Sequence, residues 1–535
     1  MFKEAVTMKN LLRSLAALLL TLTLLCSSTS CALAEDKTVN IAVTSSIDTL
    51  NPLRTDASEV LKYATSLVFL PLMELDADLT FVPQLAQSIT TDDNQTFTIR
   101  LRDDAAWSDG TPVTSRDVEF TLLLITSPEC YYSYLLQNII VGTDDNGLAP
   151  QGATSLEGVT IVDDKTLVVT TKYPVALYTF SNILGRYVFP LPEHVLGDIP
   201  RSELLDHEWF RSPTVVSGPY FVDRYDPNHY VYFKANENYF LGAPKISRLN
   251  MNVLDPAQVL AGLKSGEIDL VQPTTGTMML EDYEAVSTLS NVTAVPGTPI
   301  TNQCIFFNTQ RVTDVRIRQA IAYGLDRQTI LDGLVLGYGE LVDAFLCSAS
   351  PYYSADLGLT EYDPAKAAEL VKAAKADGAS TDLVWYVNSG DATFVNASAY
   401  IAATLQEIGL NIEVKTVELP MLMETAGTGD FDVLTVEYTF APVDPYTDIT
   451  WLLSEGGWTR YSSETVDTAM ALTQTSTDQE EIRAAYLTMS RDVQQNVPMI
   501  SCYIVSKMGA VSNRLVNAQP DVFGTFINVH EWDVQ

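Results

Sequence analysis

Apolar and polar residues alternate with period two through "TVNIAVTSSIDTLNP" from Thr38 and again through "TFTIRL" at Thr96–Leu101, which predicts strands with one face buried. The second run leads into "RDDAAWSDGTPVTSRDVEF". There Asp109-Gly110 signals a turn with positive φ at the glycine, and Thr114 with Asp117 three residues on marks a capped helix start. A strand, a turn and a helix are therefore expected, with Trp107 packed as scaffold.

The clearest helix is "YDPAKAAELVKAAKADG". Asp363 caps it, Pro364 takes the first helical position, Ala367, Leu370, Val371 and Ala374 form the apolar stripe, and Gly378 ends it. "TDLVWYVN", "NASAYIAATLQEIG" and "LNIEVKTVEL" follow as strand, helix and strand, a β-α-β unit. Mixed α/β is the fold class, and 535 residues exceed what one core sustains, so two or three domains are expected. No repeat or low-complexity tract separates them.

Composition narrows the functions. A formal net charge of -35 repels polyanions, which excludes nucleic acid as a partner, and 47% hydrophobic residues describe an ordered globular chain. Lys9 and Arg13 precede an apolar run, Leu15 to Leu25, too short to span a bilayer, so residues 1–34 read as an export signal, with Met8 a second candidate start. Ala32-Leu33-Ala34 fits ordinary signal-peptidase cleavage, and Ser28-Thr29-Ser30-Cys31 fits an imperfect lipobox after residue 30. Soluble release and lipidation of Cys31 both stand. Cys130, Cys304, Cys347 and Cys502 are dispersed and read as buried hydrophobes, with Cys304 and Cys502 the pair worth testing for a bridge.

Catalytic chemistry has no address. There is no G-x-S-x-G elbow, no H-E-x-x-H and no P-loop, and Gly337-Tyr338-Gly339 does not continue to a third glycine. Four scattered histidines support neither a triad nor a metal site, and no cofactor is implied.

Five segments in order resemble a known family. They are Leu85 to Phe120, which holds the Trp107-Ser108-Asp109-Gly110 turn, "SGPYFVDRYDPNHYVYFKANENYF" from Ser217, "LKSGEIDLV" from Leu263, "FFNTQRVTDVRIRQAIAYGLDRQTI" from Phe306, and "GDFDVLTVEYTFAPVDPYTDI" from Gly429. Together they are similar to the family 5 (cluster C) extracytoplasmic solute-binding proteins of oligopeptide, dipeptide and nickel ABC transporters. The resemblance implies a bilobal periplasmic-binding-protein fold of type II. Lobe I would take 36–70, 214–298 and 505–535, an inserted subdomain 71–213 and lobe II 299–504, with a hinge where the chain crosses. It implies a monomeric, extracytoplasmic receptor rather than an enzyme. The receptor would capture a small solute, oligopeptide or peptide-like, for permease subunits, and touch the membrane only through a lipid anchor. Saccharide or chelate binding, and ligand sensing for a signalling partner, are alternatives on the same fold; an exported hydrolase would need a reactive constellation.

The resemblance also suggests site residues. Tyr438, Thr439, Phe440 and Ala441 fall on the family's ligand-contact segment, but Ala441 stands where peptide binders carry the Asp that pairs with a ligand ammonium. Asp444 or Glu437 would have to replace it, and without such a carboxylate free-amine dipeptides should bind weakly. Asp56, Ala57 and Ser58 match a loop that touches ligand backbone. Tyr131, Tyr132 and Tyr134 match a cleft-facing stretch. Of Trp385 and Tyr386, neighbours on one strand, only one can face a ligand.

Overall fold

The strand Thr301–Phe307 is buried at every position, as required of a strand covered on both faces. Ile305 and Phe307 pack into one apolar cluster, and Cys304 and Phe306 into another on the opposite side. It lies near the middle of a six-stranded sheet in a computed structural model that describes residues 37–54, 59–130, 139–390 and 392–535. The export signal with Cys31, and the candidates Asp56, Ala57, Ser58, Tyr131, Tyr132 and Tyr134, lie outside the described residues.

Among the described residues this sheet runs Gly339–Glu340, Met499–Val505, Thr301–Phe307, Val433–Thr439, Asp382–Asn388, Asn411–Val417. Asp382–Asn388 is parallel to both Asn411–Val417 and Val433–Thr439, and the helices Ala392–Glu407 and Leu419–Thr428 make the returns that parallel pairing needs. A seven-stranded sheet gathers Thr38–Val43, Tyr220–Asp226, Tyr230–Ala235, Arg248–Val253, Leu270–Val271, Val292–Pro296 and Met508–Ser512. A four-stranded antiparallel sheet lies between residues 86 and 170.

The chain passes between the two large sheets through residues 297–300 and again through 506–507. The crossings are tied together, because the Gly297 N–H donates to the Lys507 carbonyl at 2.8 Å.

The turn carrying Trp107 is scaffold. Gly110 has φ +89°, Trp107 is buried, and Ser108 exchanges hydrogen bonds with Val216, which pins the corner to the stretch that leads into the seven-stranded sheet at Tyr220. Asp363 caps its helix by accepting from the Lys366 N–H at 2.9 Å, and Ala367, Val371 and Ala374 are buried beneath it. Cys304 and Cys502 are free buried thiols serving opposite faces of the six-stranded sheet, and burial pushes the Cys502 thiol up to about 12. Among the described residues, no helix is long and apolar enough to cross a membrane.

Candidate functional site

A cavity of about 370 Å³ opens between the two large sheets. Its wall is shared. Glu59, Pro273, Thr274, Val522 and Phe523 come from stretches around the seven-stranded sheet, and Asn182, Arg186 and Tyr187 from the segment between the small sheet and that one. The crossings add Thr298, Ile300 and Lys507, and the end of the six-stranded sheet adds Val505, Thr301, Thr439, Ala441 and Asp448. Thr301 pairs with Thr439 on one side and Val505 on the other, so the edge of three adjacent strands forms one wall.

Two electrostatic arrangements meet there. On the first wall Arg186 donates through Nε to Glu74 at 2.7 Å and through Nη2 to Glu59 at 2.9 Å, and the Tyr187 hydroxyl donates to Glu59 at 2.8 Å. Lys62, wholly buried, pairs with the other oxygen of Glu74. Burial alone would push the Glu74 carboxyl up, yet Lys62 and Arg186 beside it hold it below its ordinary value. Two cations and two carboxylates thus compensate one another.

The second arrangement is unbalanced. Asp448 accepts from the Ala441 N–H at 2.8 Å and from the Tyr438 hydroxyl at 2.8 Å, and among the described residues no Lys, Arg or His pairs with it. Burial pushes its carboxyl up to about 6 despite those two donors. Asp444, four residues earlier, is buried behind the cavity and is likewise pushed up to about 6 by burial, with Asp448 adding to the effect; it accepts from the Thr179 hydroxyl at 2.8 Å.

That last bond crosses between the two halves, and it is not alone. The Asn94 amide donates to the Ser476 carbonyl at 2.8 Å and the Gln474 carbonyl at 3.3 Å, and the Ala176 N–H donates to the Gln474 side chain at 3.3 Å. Leu75, Leu79, Val443, Val522 and Phe523 pack as one apolar cluster beside the cavity. The halves are closed on each other.

The contact segment divides. Thr439 and Ala441 line the cavity. Tyr438 stands behind the wall as a brace for Asp448, its ring 5.1 Å from that of Phe440, and Phe440 is itself buried against Phe345. Asp444 meets Thr179 rather than the cavity. Trp385 belongs to the core: it is 1% exposed, its indole N–H donates to the Thr435 hydroxyl at 2.6 Å, and its ring meets Phe394. Tyr386, on the opposite strand face, packs against the other apolar cluster and lies under the Lys415 ammonium, away from the cavity wall. Matching residue by residue missed Asp448, along with Glu59, Arg186 and Lys507 of the same cavity wall. The Asp444-Pro445 turn folds the helix Tyr446–Leu452 back so that Asp448 meets the strand end.

Residues 80–460 match the family model described as bacterial extracellular solute-binding proteins, family 5 Middle. A Brucella ovis protein named as an ABC transporter peptide-binding protein is 28% identical over 480 residues, 84% of each chain. The ABC transporter substrate-binding protein CtaP of Listeria monocytogenes superposes with TM-score 0.77 at 23% identity, over 94% of this chain and all of that one. The oligopeptide-binding protein AppA of Bacillus subtilis, solved with a nonapeptide, superposes with TM-score 0.70 at 20% identity over 93% of this chain and 99% of that one.

Proposed function

The chain belongs to the bacterial extracellular solute-binding proteins of family 5, and on that premise we propose that it captures a short peptide or peptide-like compound between two lobes and hands it to the permease subunits of an ABC transporter. Lobe I comprises 36–70, 214–298 and 505–535, the inserted subdomain 71–213 and lobe II 299–504. This division is supported by the shared seven-stranded sheet of strands drawn from 38–43, 220–296 and 508–512. Ligand in the cavity touches both lobes at once, so its binding free energy favours the closed state.

The observation that carries the peptide reading is the Asp448 carboxylate in the cavity wall without a cation. A desolvated, unpaired carboxylate costs several kcal/mol, on the order of what its pairing with a ligand ammonium recovers. The family's usual ammonium partner is replaced here by Ala441, whose N–H instead orients the substitute seven residues later.

The relative named as a peptide-binding protein agrees with this ligand class. The receptor works as a monomer outside the cytoplasm and performs no chemistry on its cargo. Native mass spectrometry of the purified protein tests it: one released compound per chain, amine-bearing and chemically unaltered, is expected. Release of a neutral sugar overturns the peptide reading.

A further inference from the structure

A cavity of about 430 Å³ lies at the other end of the six-stranded sheet from the one between the large sheets. The strand Met499–Val505 sets the separation. Val505 lines the first cavity, Val497, just before the strand, lines the second, and the six steps from Met499 to Val505 alone span about 20 Å. Gln319 and Tyr323 of the helix Val315–Gly324, Leu359 and Glu361 of the loop before Asp363, and Gln494 and Val497 at the end of the helix Gln479–Asn496 form the second wall. That wall is built rigidly. Val497 is β-branched yet holds φ +49°, a conformation such residues rarely adopt, and the buried Arg318 pins it by donating through Nε to the Val497 carbonyl at 3.1 Å and through Nη2 to the Asn496 carbonyl at 2.7 Å.

The wall is weighted towards acceptors. The Gln494 amide nitrogen is spent on the Asp343 carboxylate at 2.7 Å, which leaves Oε1 free, and the Gln319 amide nitrogen is spent on the Gln495 carbonyl at 2.7 Å with the same result. Glu361, exposed, adds a carboxylate. Among the described residues no donor reaches any of these side-chain oxygens, and the lining holds no Lys, Arg or His. The Gln495 amide and the Tyr323 hydroxyl can donate, but neither carries charge. Leu359, 48% exposed, and Val497 supply apolar surface, and the Tyr323 ring already holds one ammonium, that of the exposed Lys366, 3.7 Å from its centroid. We propose that this cavity is a second binding site, separate from the one between the lobes, which takes a small organic ammonium compound with an apolar body. A carboxylate and two amide oxygens without a cation reject carboxylates and phosphates and suit an N–H-bearing cation. The formal charge of -35 raises the local concentration of such cations around the whole molecule.

Calorimetry with phenethylammonium and its neutral counterpart 2-phenylethanol tests this on the full chain carrying Asp448→Asn, which removes the carboxylate that an ammonium would meet in the other cavity. One phenethylammonium should bind per chain, about ten-fold or more tighter than the alcohol, the effect of charge-assisted hydrogen bonds. Adding Glu361→Gln should weaken it about two- to five-fold, the range of an exposed ion pair. Glu361→Lys should erase the preference for the amine, and both changes should leave the melting temperature where it was, because Glu361 is exposed. Lys366→Met, which removes a like charge beside the Tyr323 ring, should tighten binding. Equal affinity for amine and alcohol overturns the site, as does a preference for the amine that survives Glu361→Lys. Failure of the peptide reading at Asp448 would leave these results unchanged, since they are measured without that carboxylate.

Discussion

The Ala441 N–H donates to the Asp448 carboxylate at 2.8 Å, so the residue that lacks a side-chain charge holds in place the one that has it. The Tyr438 hydroxyl completes the clamp from the strand side. A carboxylate with both oxygens engaged by fixed donors, and no cation, is preorganised for a positive ligand group.

Asp448→Asn therefore weakens binding of a free-amine tripeptide by about 2–4 kcal/mol, the range for removing one partner of a buried charge pair. The substitution also deletes an uncompensated buried charge, so the unliganded protein should melt no lower than the natural chain. Calorimetry beside thermal melting checks both halves.

Acidity should move stability and affinity in opposite directions. The folded-state values of about 6 for Asp444 and Asp448 lie above the ordinary aspartate value of 3.8, so both groups bind protons more tightly in the folded protein. Their contribution is favourable at low pH and is lost as pH rises through about 6. Relative to Asp448→Asn, the unliganded natural protein should gain up to about 3 kcal/mol as pH falls from 7 to 4, at ~1.4 kcal/mol for each unit of displacement. Affinity for a cationic ligand should fall over the same window. Melting curves against pH for the two proteins, with and without trialanine, measure it.

Closure has its own residues. Asn94 reaches across to the Ser476 and Gln474 carbonyls without touching the cavity, from a backbone at φ +55° that glycine adopts freely. Asn94→Gly removes the contact and keeps the turn. It should lower affinity about five- to thirty-fold, the equivalent of ~1–2 kcal/mol, with scattering showing a wider average shape. Unchanged scattering and affinity would show that the contact does not govern closure.

Trp385→Ala separates core from site. With its indole buried, the substitution should cost about 3–5 kcal/mol of folding stability, read by urea unfolding, while affinity per folded molecule stays the same.

How far the sequence reaches is clear from these residues. Local features were legible: the Asp363 cap, the Gly110 turn and the parallel strand-helix-strand at residues 382–417 follow from propensity and period. Period two also requires that Trp385 and Tyr386 part company, but not which of them faces the core; a sheet covered on both sides buries either. Asp448 was not legible, because matching by position assumes the charge sits on the strand end, whereas here a turn returns it from the next helix. The Lys62, Glu74, Arg186 and Glu59 cluster joins residues up to 127 apart and leaves no local signature.

The most direct test is a double-mutant cycle by calorimetry at neutral pH, pairing the natural protein and Asp448→Asn with trialanine and N-acetyl-trialanine. The account predicts that acetylation weakens binding strongly in the natural protein and hardly at all in the variant, a coupling of about 2 kcal/mol or more. Identical losses on acetylation in both proteins would contradict a cation held by Asp448.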